Sequence, residues 1–351
     1  MSQIETDSLI GWGLIGVSTI AREHMRAAID ADPRSRPVAV LSHSLRRASD
    51  FARENTIANA YDDIDEMLAD PNVDVVYVST RNDLHKEQVL ASAAAGKHVL
   101  CEKPLALSLM DAVEMRDACL QAGVIMATNH HLRNAATFQS MQQLINSGAI
   151  GTPLAARVFH AVSLPPALQT WRVHDPEVGG GVALDITVHD CDALRFLLGA
   201  EVVEVTALSA VQGLASNGLE DGLMGVMRLD SGLLASFHDG YTIAHGGTGI
   251  EVHGTTGSVL GRDVMSQAPD GDVYLRRGST VSSVDVGQRA SLYEQAVLRF
   301  NSAVLGEGFP AVSAEDGLRS LAVALSVRES VRSGRAVAVP AVPAALASED
   351  G

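Results

Sequence analysis

Four short apolar runs in the first hundred residues, Leu9 to Ile15, Pro37 to Leu41, Val73 to Ser79 and Val99 to Cys101, are separated by stretches of helical periodicity. Helices are expected over Thr19 to Ile29, from Ala48 towards Glu54, over Asp62 to Asp70 and over Lys86 to Ala95. Strands separated by helices are joined by crossovers rather than hairpins, and the crossovers return each strand parallel to the last. The expected fold of this third of the chain is therefore α/β, a doubly wound parallel sheet. In such sheets ligands bind beyond the carboxyl ends of the strands, so those ends are where chemistry is sought.

The first strand ends in Gly13-Leu14-Ile15-Gly16-Val17-Ser18-Thr19-Ile20-Ala21. Aligned on GxGxxG/A, Gly16 is the first glycine, Ala21 the closing small residue, and Ser18 replaces the middle glycine. A glycine turn here lets the backbone approach a pyrophosphate at the helix N-terminus, and the serine adds a hydroxyl able to bond a phosphate. The second strand ends in Ser42-His43-Ser44-Leu45-Arg46-Arg47. An acid usually stands there to hold the ribose 2′-hydroxyl of NAD, whereas a 2′-phosphate needs donors and positive charge. Hydroxyls and arginines replace the acid, so NADP(H) is expected, with Ser42 and Arg47 on its phosphate. The third strand end places Asn82 and His85 towards the cofactor. The fourth ends in Glu102-Lys103-Pro104, where the proline stops the ladder and leaves Lys103 as a candidate for chemistry. Lysine at a strand end is also common as a solvated residue, and this stretch alone leaves both readings open.

At 351 residues the chain can bury two cores, and 46% hydrophobic with 19% charged residues is a globular composition. The expected division is residues 1–127 for the dinucleotide, 128–345 for substrate and catalysis, and 346–351 as a loose tail. A formal charge of −16 argues against nucleic acid or an anionic membrane as partner. Cys101, Cys119 and Cys191 form no CxxC pair, and the opening residues carry no export signal, so free thiols and a cytoplasmic location are expected.

In the second half a helix is expected over Ala135 to Asn146, stopped at Ser147-Gly148. Strands follow over Pro153 to Ala161, Val202 to Leu208, Gly222 to Leu229, Leu233 to Tyr241 and Gly249 to His253. Their alternation gives a sheet with one packed face and one face left for water or a second copy, so monomer and homo-oligomer both stay open. A glycine run, Gly179 to Gly181, leads into a helix over Ala183 to Leu198. Asp185 and His189 lie four apart on it and share a face. A histidine oriented by a carboxylate can protonate a developing alkoxide, although such a pair is also common on helix surfaces. The spacing of Asp185, His189 and Asp192 fits no known metal motif, and no metal is expected. His160, Trp171 and Arg172 are the expected substrate wall, an apolar indole face beside a guanidinium fork.

With Gly13 to Ala21, His85 and above all GKHVLCEKP in place, the chain resembles the family of glucose-fructose oxidoreductase and inositol dehydrogenase. The likeness covers nearly the whole chain. The segments WGLIGVSTIARE, TNHHLRNAA, ARVFHAVSLPP, GGGVALDITVHD, EDGLMGVMRLDSG and EVHGTTGSVLGR resemble one bacterial, NADPH-dependent branch. The resemblance implies an N-terminal Rossmann domain and a C-terminal α+β domain with a large, mostly antiparallel open-faced sheet. It implies reduction of the keto carbon of 1,5-anhydro-D-fructose to 1,5-anhydro-D-mannitol, or another family activity on a sugar, polyol or inositol; the further alternative is a catalytically silent NADP-binding regulator on the same fold, against which the presence of Lys103, Asp185 and His189 together argues. It carries cofactor contacts onto Ser18, Thr19, Ile20, Ala21, Ser42, His43, Arg47, Thr80, Asn82 and His85. It carries further contacts onto Glu102, Lys103, Asn129, Trp171, Arg172 and Tyr293. Lys103, Asp185 and His189 are then the catalytic set, with His160, Trp171, Arg172 and His189 towards the substrate.

Overall fold

The computed structural model describes residues 9–345. They form two compact units, and the chain passes between them more than once. The first unit runs to His130 and also takes Tyr293–Leu318 and the residues from Pro343; the second comprises His131–Leu292 and Arg319–Val342. The second domain is therefore not the continuous span 128–345 expected from sequence. The reason lies in Asn301, which accepts from the buried Trp12 indole at 3.0 Å and donates to Asp32 at 2.9 Å and Ser35 at 3.0 Å. The expected tail, 346–351, lies outside the described residues.

In the first unit, strands β1 (Ile10–Ile15), β2 (Ser35–Leu41), β3 (Asn59–Tyr61), β4 (Val75–Val78), β5 (His98–Cys101) and β6 (Met126–Thr128) form one sheet in the order β3-β2-β1-β4-β5-β6. All neighbours are parallel. The winding reverses between β1 and β4, which opens a crevice at their carboxyl ends. β1 and β4 are buried along their whole length, as strands covered on both faces must be. Helices at Leu45–Asn55, Ile64–Leu68, His85–Ala94 and Leu109–Gln121 return the chain between strands. The first crossover begins with a π-helical turn, Ala21–Met25, before the α-helix Arg26–Ala31.

In the second unit, β7 (Pro153–Ala161), β8 (Val202–Ala210), β9 (Gly222–Leu229), β10 (Leu234–Gly240), β11 (Gly249–Gly254), β12 (Ser258–Arg262), β13 (Asp272–Arg277), β14 (Thr280–Val284) and β15 (Val337–Ala338) form a nine-stranded sheet. Its order is β14-β13-β12-β11-β7-β10-β9-β8-β15, antiparallel throughout except for β7 beside β10. One face is covered by helices at Ala136–Asn146 and Val188–Leu198, the latter with nine of its eleven residues buried. The other face is open: Leu208 pairs with Met224 across β8 and β9, and they are 75% and 55% exposed. No helix among the described residues is long and apolar enough to cross a membrane.

Candidate active site

The first unit supplies a dinucleotide cradle. Gly16 has φ +106°, and a Cβ there would stand 3.1 Å from the backbone of Ser79 and from Thr80. Only glycine takes that conformation without strain and lets β1 and β4 close on the turn. Ser18 does not offer its hydroxyl outward: it accepts from the Ala21 N–H at 3.0 Å and donates to Ser79 at 3.0 Å. The serine that replaces the middle glycine thus caps the first helical turn and ties it to the neighbouring strand end. Thr19 and Ile20 open that turn, and Ala21 is fully buried behind it.

Beside the turn lies a shallow hollow lined by Val17, Arg22, Arg47, Asp50, Phe51 and Glu54. Ser42 is buried at the end of β2, with its N–H bonded to the Tyr61 carbonyl at 3.1 Å, while His43 and Arg47 are exposed. Sequence reading missed Arg22. Its guanidinium stands 4.9 Å over the Phe51 ring and pairs with Glu54 at 2.6 Å. The signal was present, since Arg47, Phe51 and Glu54 are three and four apart on one helix.

Further along the strand ends, Asn82 is buried and Thr80 bonds Gln88 at 2.6 Å. His85 is fully buried, with Nδ1 3.0 Å from the Pro104 carbonyl and Nε2 3.3 Å from that of Thr80. Burial holds its pKa down, and the neutral ring, with a single N–H, donates to one of these two carbonyls only. His85, expected to face the cofactor, lies between the backbone carbonyls of two neighbouring strand-end loops. Glu102 accepts from the Tyr77 hydroxyl at 2.5 Å and the Asn129 amide at 2.6 Å. Burial raises its pKa, and those hydrogen bonds and the neighbouring Lys103 oppose the shift. Lys103 follows, half-buried, joined to Pro104 by a cis bond. Tyr293 is buried in the same unit, stacked on His24 at 4.5 Å.

These residues fit a bound dinucleotide on one observation: the buried Asn129 Oδ1 has no hydrogen-bond partner among the described residues, although its amide nitrogen is engaged. An acceptor so placed is expected to meet a ligand donor.

The second unit holds Asp185 and His189. Asp185 lies in a π-helical turn, Ala183–Thr187, which runs into the α-helix Val188–Leu198 carrying His189. The wider turn changes the face-sharing expected of residues four apart. Asp185 Oδ2 accepts from the Tyr241 hydroxyl at 3.0 Å, and Arg172 Nε lies 3.6 Å away. Burial pushes the Tyr241 pKa well up and the Asp185 charge adds to it, so the phenol stays a donor. The Arg172 guanidinium is stacked 4.5 Å above the Trp171 ring, which brings the expected indole and fork together. His189 is 8% exposed, with the His131 ring edge-on at 5.0 Å and the His160 ring at 6.4 Å.

The helix start is held from outside by Glu220, which accepts from the Ala183 N–H at 3.0 Å. Gly181, at φ +102°, is required there because a Cβ would stand 2.7 Å from the Glu220 carboxylate. Sequence reading found neither Glu220 nor Tyr241, since nothing local ties either residue to the Asp185 turn.

A family model described as an oxidoreductase family with an NAD-binding Rossmann fold matches residues 10–130, and one described as the GFO/IDH/MocA C-terminal domain matches residues 138–260. The sequence is 51% identical over 328 residues to the 1,5-anhydro-D-fructose reductase of Ensifer adhaerens, covering 93% of this chain and 98% of that protein. It is 31% identical over 338 residues to the myo-inositol 2-dehydrogenase of Thermotoga maritima, covering 94% and 97%. Among solved structures, the aldose-aldose oxidoreductase of Caulobacter crescentus complexed with glycerol has a TM-score of 0.87 at 24% identity, covering 94% of this chain and 99% of that one. That likeness speaks to the fold.

Proposed function

The chain belongs to the Gfo/Idh/MocA oxidoreductase family, and on that premise we propose that it is an NADPH-dependent reductase of the keto group of 1,5-anhydro-D-fructose or a closely related sugar ketone. The observation that carries the reading is a likeness to such a reductase that runs through both units at 51% identity. Preference for the 2′-phosphate is supported by a β2 end that carries Ser42 and no acid, beside a hollow lined by Arg22 and Arg47.

When bound, the cofactor supplies hydride from C4 of its nicotinamide to the keto carbon. Lys103 and His189 act on the carbonyl oxygen, one polarising it and the other supplying the proton as negative charge develops. Asp185 is kept in place by Tyr241 and Arg172. Trp171 offers an apolar face to the sugar ring, and Arg172 and His160 offer polar groups to its hydroxyls. Glu102 and Asn129 fix the loop that carries Lys103.

A second reading, a polyol or inositol dehydrogenase, is favoured by the 31% identity to a myo-inositol 2-dehydrogenase. The test is to follow nicotinamide absorbance with NADPH or NADH and 1,5-anhydro-D-fructose, with fructose, glucosone and myo-inositol as comparisons. Fast oxidation of NADPH by the anhydro-sugar is expected. Faster turnover of inositol with an oxidised cofactor would replace this reading by the second.

A further inference from the structure

A buried acid cluster stands behind the substrate wall, outside the groups assigned so far. Asp239 on β10 and His160 on β7 are register partners on the one parallel strand pair of the sheet. Asp190 reaches them from the helix packed above and accepts from His160 Nδ1 at 2.8 Å. Asp190 and Asp239 are 0% exposed and His160 is 7% exposed. The two carboxyls are hydrogen-bonding neighbours, and the Thr187 hydroxyl donates to Asp239 Oδ2 at 2.5 Å. Among the described residues, Asp190 Oδ2 and Asp239 Oδ1 have no hydrogen-bond donor. Two ionised carboxylates have no donor between them, whereas a single shared proton would satisfy both of these oxygens.

We propose that Asp190 and Asp239 share one proton at neutral pH and that this singly charged pair positions the His160 ring by holding its Nδ1–H. The inference rests on the reading of His160 as part of the substrate wall. Asp239 keeps the proton, because burial and the Asp190 charge both push its pKa well up. Burial alone brings Asp190 up to about 7, with the Asp239 hydrogen bond opposing it. The other titratable and charged groups around the cluster are His189, Cys191, Asp192 and Arg195 on the same helix, with His131 and Arg133 on the turn packed against it. Arg133 and Arg195 are directed to Asp192. Below neutral pH the pair takes a second proton and the His160 Nδ1–H loses its charged acceptor, so the sugar KM rises on the acid side while kcat changes less.

Infrared difference spectroscopy of the whole protein in buffer, without sugar, reads the proton directly. A protonated carboxylic acid band is expected at pH 7 and is expected to vanish in Asp239→Asn. Histidine nitrogen NMR on the same samples is expected to show His160 protonated at Nδ1, with that signal shifted in Asp190→Asn as its charged acceptor is removed. In both variants the acid-side rise of KM is expected to flatten. Absence of the acid band at pH 7, or its persistence in Asp239→Asn, overturns the shared proton. An unchanged KM profile with the expected spectra overturns the positioning role. The spectra need no turnover, so failure of the sugar-reductase reading would show separately as inactivity of the native protein.

Discussion

Replacing Arg133 by methionine tests what anchors the helix that carries His189. Arg133 donates from Nε to Asp192 Oδ2 at 2.8 Å and from Nη2 to Oδ1 at 2.6 Å, and the two side chains are 10% and 1% exposed. Breaking a buried pair of this kind by removing one partner costs about 3–5 kcal/mol, because the other charge is left in a place that cannot solvate it. Arg195 Nη1 stays 3.9 Å from Asp192 and the Ser320 hydroxyl 3.4 Å, which moves the expectation to the lower end, about 3 kcal/mol. Methionine keeps the aliphatic stem on Phe196, over which the guanidinium lies at 5.4 Å. For a unit of this size about 3 kcal/mol lowers Tm by roughly 6–12 °C. Urea unfolding and thermal scans, run without cofactor, give the loss. The double variant Arg133→Met, Asp192→Leu leaves no stranded charge and is expected to lose less than the sum of the singles, with a coupling of about 1–3 kcal/mol. A loss below about 1 kcal/mol for Arg133→Met, or simple additivity, would refute the reasoning.

Gly16→Ala is expected to weaken NADPH binding at least tenfold in a fluorescence titration, since φ +106° costs a side chain about 1–3 kcal/mol before its contact with Ser79 is counted. Arg47→Ala is expected to raise the KM for NADPH by about 10–100-fold, the loss of one charged hydrogen bond, and to leave that for NADH within about threefold. A similar rise for both cofactors would remove Arg47 from the 2′-phosphate. Asp190 makes stability pH-dependent: its folded pKa is raised from 3.8 to about 7, so the folded state holds a proton that the unfolded chain releases. That contribution is complete below about pH 4 and is lost as pH rises to about 7, roughly three units or about 4 kcal/mol. Asp190→Asn is expected to flatten unfolding free energies measured across this window, and an unchanged slope would contradict the assignment.

Much of the fold was legible because its signals are local. The apolar runs of β1, β2, β4 and β5 and the alternation of β7 and β9 show directly which faces are buried, and the sequence spans agree with the observed strands to within a residue or two at each end. The meander β12 to β14 was not read, and β14 shows why: four of its five residues are exposed and the fifth is half-buried, so no inward face is written into it. In the site, Gly16, Lys103, Asp185 and His189 could be picked out by motif and spacing. Tyr241, Glu220 and Asp239 could not. Tyr241 and Glu220 reach the Asp185 turn from segments distant in the chain, and Asp239 meets His160 only through a strand order that places β10 beside β7. Ser18 was read as a phosphate ligand because its position was recognised, but its hydroxyl is used within the protein, which only the close approach of Ser79 reveals.

The return of Tyr293–Leu318 to the first unit bears on any attempt to dissect the protein. A fragment stopped at His130 would contain every strand of the parallel sheet, yet it would lack Asn301, the acceptor of the buried Trp12 indole N–H and a donor to Asp32 and Ser35. It would also lose the Ser313 carbonyl and Val312 carbonyl that meet Thr128 at the end of β6. A stand-alone nucleotide-binding module therefore cannot be cut from this chain at one point. It has to be built by grafting 293–318 back through a linker, and expression trials that ignore that splice are expected to yield insoluble protein.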